Sequence, residues 1–177
     1  MTVRFDTKIA IAVRADLQAW QKLNVTAFLA SGIAASIGDI IGKPYEDGSG
    51  NTYLELFRQP VVVYAADAET LSQAHQRALA RQLPMAIYTM DMFTTGNDDD
   101  NRAVVRAVPA AELSFAGLAV HGPRNAVDKI SRALRCIHES SAVPGHGRSD
   151  RGLSSRGGGP ARARTGRGPG QGARFRR

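Results

Sequence analysis

From Ser140 to Arg177 the chain is written almost entirely in Gly, Arg, Ala, Pro and Ser, with Phe175 its only aromatic residue. A segment of this kind carries too little apolar surface to offset the entropy lost on ordering it. Residues 140–177 are therefore read as a disordered Arg/Gly-rich tail, which confines the folded unit to residues 1–139. That length supports one ordinary domain and is short for two. The charge divides at the same point: residues 1–139 hold fourteen Lys and Arg against fifteen Asp and Glu, and the remainder holds nine Arg against Asp150 alone. The net charge of +7 thus belongs to the tail and not to the fold.

The segment "SSRGGGPARARTGRG" resembles the Arg-Gly segments of RNA-binding tails, whose phosphate contacts are non-specific and salt-dependent. It lacks the interleaved aromatics useful for stacking on bases, and an unselected extension is the plainer reading. At the other end, Arg4, Asp6, Lys8 and Arg14 interrupt any apolar run, so no signal peptide is expected. No stretch reaches membrane-spanning length. The single Cys136 excludes an internal disulfide and suits a reducing compartment. A cytoplasmic protein without a membrane partner is expected.

Within residues 1–139, strand and helix patterns alternate. "KIAIAVR" (8–14) reads as a buried strand. Asp16 is then expected to cap a helix whose inward face is Trp20, Leu23, Ala27, Ala30 and Ala34, with Gly38 and Gly42 ending it. Trp20 is a core or interface anchor. "YEDGSGNTY" (45–53) is a turn flanked by short strands, and "QPVVVYAAD" (59–67) a second core strand. "AETLSQAHQRALARQ" (68–82) is an amphipathic helix with Leu71, Ala74, Ala78 and Leu79 inward. A third strand follows at 84–91, a loop entering a short helix at 96–108, a fourth strand at 114–123 and a closing helix at 124–137. The pattern predicts an α/β fold of three layers, α/β/α, around a small four-stranded sheet, mixed or mostly parallel.

Few side-chain clusters in this pattern point to chemistry. The run Asn97 to Asn101 offers oxygens for a hard cation, but consecutive acids diverge, and a capped acidic first turn explains them. "DGSGNTYLELFR" fails as a calcium loop, with Thr52 in the glycine place and Arg58 in the glutamate place. His75, His121, His138 and His146 are not spaced as ligands, and Cys136 and His138 do not share a helix face. No Gly-rich phosphate loop is present. Neither a metal nor a cofactor is expected.

Several stretches together resemble known families. "KIAIAVRADL" with "KLNVTAFLAS" is similar to the first strand and helix of type II peptidyl-tRNA hydrolases. "LAVHGPRNAVDKISRAL" (118–134) is similar to their closing strand and helix, and "AIYTMDMFTT" stands where they carry a D-A-G-x-T-Q element. "VRADLQAWQKLNVTAFLASGIA", "FRQPVVVYAAD", "MFTTGND" and "GPRNAVDK" resemble more closely the uncharacterised domain-of-unknown-function family 2000. The resemblance spans about residues 8–137 and implies a type II peptidyl-tRNA hydrolase-like fold.

What the resemblance implies for chemistry is partial. The hydrolases carry Lys, Gln and His at i, i+4 and i+7 on one helix face, where this chain has Lys22, Thr26 and Leu29. Asp91 and Thr95 keep the D-x-x-x-T spacing, while Met92, Phe93 and Gly96 depart from the motif. The candidate cleft is therefore Lys22 and Asp91 as catalytic or charge-bearing residues, with Asn24, Thr26 and Thr95 contacting a ligand. Lys22 could polarise a carbonyl while Asp91 orients a water, or it could snorkel from a half-buried helix. The favoured expectation is a non-catalytic module binding a small molecule or a protein, with a homodimer among its arrangements. A degenerate ester or amide hydrolase is the first alternative and RNA binding through the tail the second.

Overall fold

The structure, a computed structural model, describes residues 4–136. The tail expected over 140–177, with His138 and His146, lies outside the described residues. β1 (Thr7–Arg14) is the middle of the sheet. Its residues Ile9 to Val13 are buried, as a strand covered on both faces requires. β4 (Val61–Ala66) pairs parallel to β1 on one side, and β6 (Phe115–Pro123) pairs antiparallel on the other. β5 (Met85–Thr89) lies antiparallel to β6 at one edge, and the two-residue β7 (Arg135–Cys136) antiparallel to β4 at the other.

The four long strands thus form a mixed sheet in the order β5-β6-β1-β4, extended by β7. Only the β1–β4 pair is parallel, so the mostly parallel alternative is not what forms. The reason lies after β5. A 3₁₀ turn (Asp91–Thr94) and α3 (Asp98–Arg106) follow it, and Val105 rests beside the core instead of covering the sheet as a crossover helix would. β6 accordingly returns antiparallel.

Alternation along β1 divides the core. Ile9, Ile11 and Val13 join Val25, Leu29 and Ile33 of α1 (Ala19–Ser36) on one face. Ala10 and Ala12 join Leu71, Ala74 and Ala78 of α2 (Ala68–Ala80), and Val127 and Ile130 of α4 (Arg124–Ser131), on the other. Helices therefore cover both faces. The turn at 45–53 forms a short ribbon, β2 (Tyr45–Glu46) with β3 (Thr52–Tyr53). No described helix is long and apolar enough to cross a membrane.

Four local expectations change. Asp16 does not cap α1; it takes a two-pronged hydrogen bond from Arg14 at 2.9 and 3.1 Å. Gln18 occupies the cap position, and its N–H donates to the Gln21 side chain at 3.0 Å. The inward face of α1 is Val25, Leu29 and Ile33, while Trp20, Leu23 and Ala27 face outward. α1 is apolar on nearly every side, so its spacing carries no unique phase. Leu79 is exposed, near the end of α2. α4 stops at Ser131, because the free edge of β4 takes up residues 135 and 136 as β7.

Candidate functional site

β5 is antiparallel to β6, and β6 to β1, so β1, β4 and β5 all run in one direction. Their carboxyl ends share one end of the sheet, where open α/β sheets present ligand-binding groups. α1 begins there just after β1, and the 3₁₀ turn just after β5. A register shift marks the same end: Tyr88 pairs with Gly117 and Thr89 with Phe115, which leaves Ala116 bulged. Bulges of this kind bend a strand and re-aim its neighbours.

The residues singled out from sequence come from these two segments, and no hydrogen bond or ion pair joins the side chains of Lys22, Asn24 and Asp91 to one another. Lys22 is half-buried in the first turn of α1, and among the described residues its ammonium makes no hydrogen bond or ion pair. Asp16, two residues before the cap, has its carboxyl held below the usual range chiefly by the hydrogen-bonded Arg14, with Lys22 the smallest contributor. Asn24 is exposed. Thr26 turns its hydroxyl back to the Lys22 carbonyl at 2.7 Å, a local bond that withdraws it from a ligand. Asp91 is exposed at the start of the 3₁₀ turn, and no hydrogen bond or ion pair joins it to Lys22.

Thr95 is the exception. Its hydroxyl meets the Met92 carbonyl at 2.8 Å and the side-chain amide of Asn101. One hydroxyl carries one proton, so Thr95 donates it either to the Met92 carbonyl or to the Asn101 amide oxygen, the two acceptors sharing it. That link ties the 3₁₀ turn to α3 and forms one wall of a groove of about 500 Å³. Phe28, Tyr88 and Met92 supply the apolar lining, and Ser31, Thr95, Asn97, Asp98 and Asn101 the polar one. Lys22, Asn24, Thr26 and Asp91 do not line it.

Aromatic contacts hold the groove's apolar side. Tyr88 meets Phe28 with ring centroids 5.6 Å apart and Phe93 at 5.2 Å, and Phe93 meets Trp20 at 6.2 Å. Burial pushes the Tyr88 phenol up, so it stays protonated near neutral pH. On the polar side Asn97 caps α3 by accepting from the Asp100 N–H at 2.9 Å. Asp98 and Asp99 pair with Arg102 at 2.6 and 2.8 Å, and Asp100 accepts from the Asn97 amide. The acidic run is thereby spent on capping and ion pairs. Among the described residues no group of three or more His, Cys, Asp or Glu is placed to hold a metal ion.

Sequence reasoning missed Phe28, Ser31, Tyr88 and Asn101 as lining residues. Phe28 and Ser31 belong to the middle of α1, Tyr88 to the end of β5 and Asn101 to the first turn of α3. The available signal was the cap at Asn97, which fixes where α3 starts and hence which of its residues face back towards the turn.

A family model described as a protein of unknown function, DUF2000, matches residues 7–138. No curated protein matches the chain. Among solved structures the chain is similar to Atu0240, a protein of unknown function from Agrobacterium tumefaciens C58. The two share 48% identity, with 75% of this chain and 98% of that one covered and a TM-score of 0.73.

Proposed function

Since the chain belongs to the DUF2000 family, whose name carries no activity, we propose from its groove that it is a non-catalytic module binding a small molecule at the carboxyl end of its sheet. One observation carries this reading: an open groove of about 500 Å³ that sets Phe28, Tyr88 and Met92 opposite Thr95, Asn97 and Asn101. Apolar lining with a few convergent hydrogen-bonding groups is the usual make-up of a ligand site. A planar ligand bearing an amide or carboxamide edge suits it, its flat face on the aromatic side and its edge on Asn101, since the Asn97 amide is engaged on both sides by Asp100. With Asp98 in its lining and Lys22 outside it, the groove suits a neutral ligand better than an anion.

Titration with benzamide, followed by amide and methyl NMR shifts, tests the reading. Shifts are expected to cluster at Phe28, Tyr88, Met92, Thr95 and Asn101. They should disappear in Ser31→Phe, which fills the groove from an exposed position. Shifts scattered over the surface, or unchanged by that variant, end the proposal.

A second reading, hydrolysis of an ester or amide in the manner of the type II peptidyl-tRNA hydrolases, has one observation in its favour. Lys22 is a half-buried cation at the carboxyl end of β1, on the segment that resembles the hydrolase helix. Lys22 would polarise a carbonyl and Asp91 would orient water. Under the binding reading, an N-blocked aminoacyl-tRNA and p-nitrophenyl esters are turned over no faster by the chain than by Lys22→Met. Turnover lost in both Lys22→Met and Asp91→Asn, with folding intact, would replace binding by hydrolysis.

A further inference from the structure

Among the described residues the Thr89 hydroxyl is one of the few buried side-chain polar atoms without a hydrogen-bond partner. Thr89 is completely buried at the carboxyl end of β5, at the register shift where it pairs with Phe115. Its N–H is poorly served as well: it donates to the Met92 sulfur at 3.3 Å, and a thioether is a weak acceptor. Buried polar groups so placed cost free energy that an incoming ligand can recover. The N–H and hydroxyl of one threonine are carried on adjacent carbons, so a group that reaches the first lies beside the second.

Met92 connects this pair to open space. It lines the groove of about 500 Å³ and also a second one of about 280 Å³, whose other walls include Ile87, Val105 and Arg106. Asn101 likewise lines both. Tyr88 belongs to the first groove and Ile87 to the second, and neighbours on a strand point to opposite sides of the sheet. The grooves therefore flank the end of β5, the edge strand of the sheet, with Met92 common to both. Methionine is unbranched and adapts its shape readily. Here its sulfur takes the Thr89 N–H and its stem packs, half-buried, on the α1 side of the core.

We propose that Met92 is a displaceable plug over a polar subsite, and that a neutral carboxamide takes its place, its carbonyl accepting from the Thr89 N–H and its NH₂ group donating to the Thr89 hydroxyl. The inference rests on the groove being a ligand site and adds the position at which that ligand's amide edge is held. A carboxamide sets an acceptor beside a donor, which matches an N–H next to a hydroxyl oxygen. A carboxylate in the same place would bury a charge among neutral partners, which is costly. Displacement exchanges a sulfur acceptor for an oxygen and gives the hydroxyl a partner. The ligand thus binds the plug-out arrangement better than the plug-in one, which is what shifts a population between two states.

Benzamide titrated into the full chain is the probe. At saturation the Thr89 amide proton is expected to move downfield as its acceptor changes from sulfur to oxygen, with the Met92 methyl shifting alongside. An unmoved Thr89 amide overturns the subsite without recourse to any variant. Met92→Ala should bind benzamide about threefold or more tighter, because the displacement step is gone, and equal or weaker binding overturns the plug. Thr89→Val keeps the shape and removes a hydroxyl that has no partner, so the urea midpoint should hold while benzamide affinity falls about tenfold. Unchanged affinity in Thr89→Val overturns the subsite. Ser31→Phe separates the two claims. Shifts lost in Ser31→Phe but indifferent to Thr89→Val leave the groove as a ligand site and remove only the subsite, whereas shifts that survive Ser31→Phe end both.

Discussion

A Cβ on Gly117 would stand 2.7 Å from Val25 Cγ1, 2.8 Å from the Ala12 carbonyl oxygen and 3.0 Å from Leu29 Cδ1. The missing side chain is what lets α1 lie close to the centre of the sheet. Gly117→Ala is therefore expected to cost about 1–3 kcal/mol through overpacking, read as a lower urea midpoint at unchanged slope. Gly96→Ala, where nothing lies within 4 Å of the new methyl, is the matched control and should change the midpoint little. Lys22 is the opposite kind of residue, half-buried with no ion pair among the described residues. Lys22→Met keeps the aliphatic stem, so its expected effect on stability is below about 1 kcal/mol. A larger loss in the same urea measurement would mean that the ammonium has a structural partner.

Among the elements, α1 and the β2–β3 ribbon show how differently local order can be maintained. α1 is fixed by burial of three residues at four-residue spacing, Val25, Leu29 and Ile33. The ribbon has two residues per strand and is far too small to be stable through its own ladder. Asp47 organises it, and the bonds from Asn51, Tyr53 and Ser49 hold that carboxyl well below the usual range. Asp47→Ala is expected to abolish cross-strand contacts between Tyr45 and Tyr53 in NMR spectra. The global urea midpoint should move by less than about 1 kcal/mol, as for local opening of a peripheral element. An unfolded domain in that variant would show that the ribbon is part of the cooperative core.

The whole molecule couples its stability to pH through two buried histidines. His75 is 4% exposed and stacks on Phe115 with centroids 4.5 Å apart, and His121 is 9% exposed. Burial lowers the pKa of both from the ordinary 6.5. Between the lowered folded value and 6.5 the unfolded chain binds more protons than the native one, so stability rises with pH in that window. Acidification from pH 7 should therefore erode the urea midpoint, levelling off once the native histidines also protonate. His75→Leu should shrink the slope, and an unchanged slope would exclude His75 as a source. By composition residues 140–177 are expected to add nothing to the core, so a chain ending at Glu139 should melt like the full chain. Any RNA affinity at low salt should vanish with the tail, as expected of counterion release.

Local pattern was sufficient for β1, β4, β5 and β6, which are apolar runs of strand length, and for α2 except at Leu79, since Leu71, Ala74 and Ala78 are buried as expected. It was also sufficient for the acidic start of α3, because a cap depends on neighbours a few residues away. The inward face of α1 needed the packed chain, since a helix apolar almost all round offers two candidate faces and the sheet selects one. The directions of β5 and β6 needed it too, because periodicity reports burial and not strand polarity. The groove is the furthest from sequence: Phe28, Tyr88 and Asn101 are separated by sixty and thirteen positions and meet only because strand order and the 3₁₀ turn bring their elements side by side. Lys22 and Asp91 stood out through a motif spacing, yet spacing records proximity along the chain, and contact across a fold depends on which way each side chain leaves its own element.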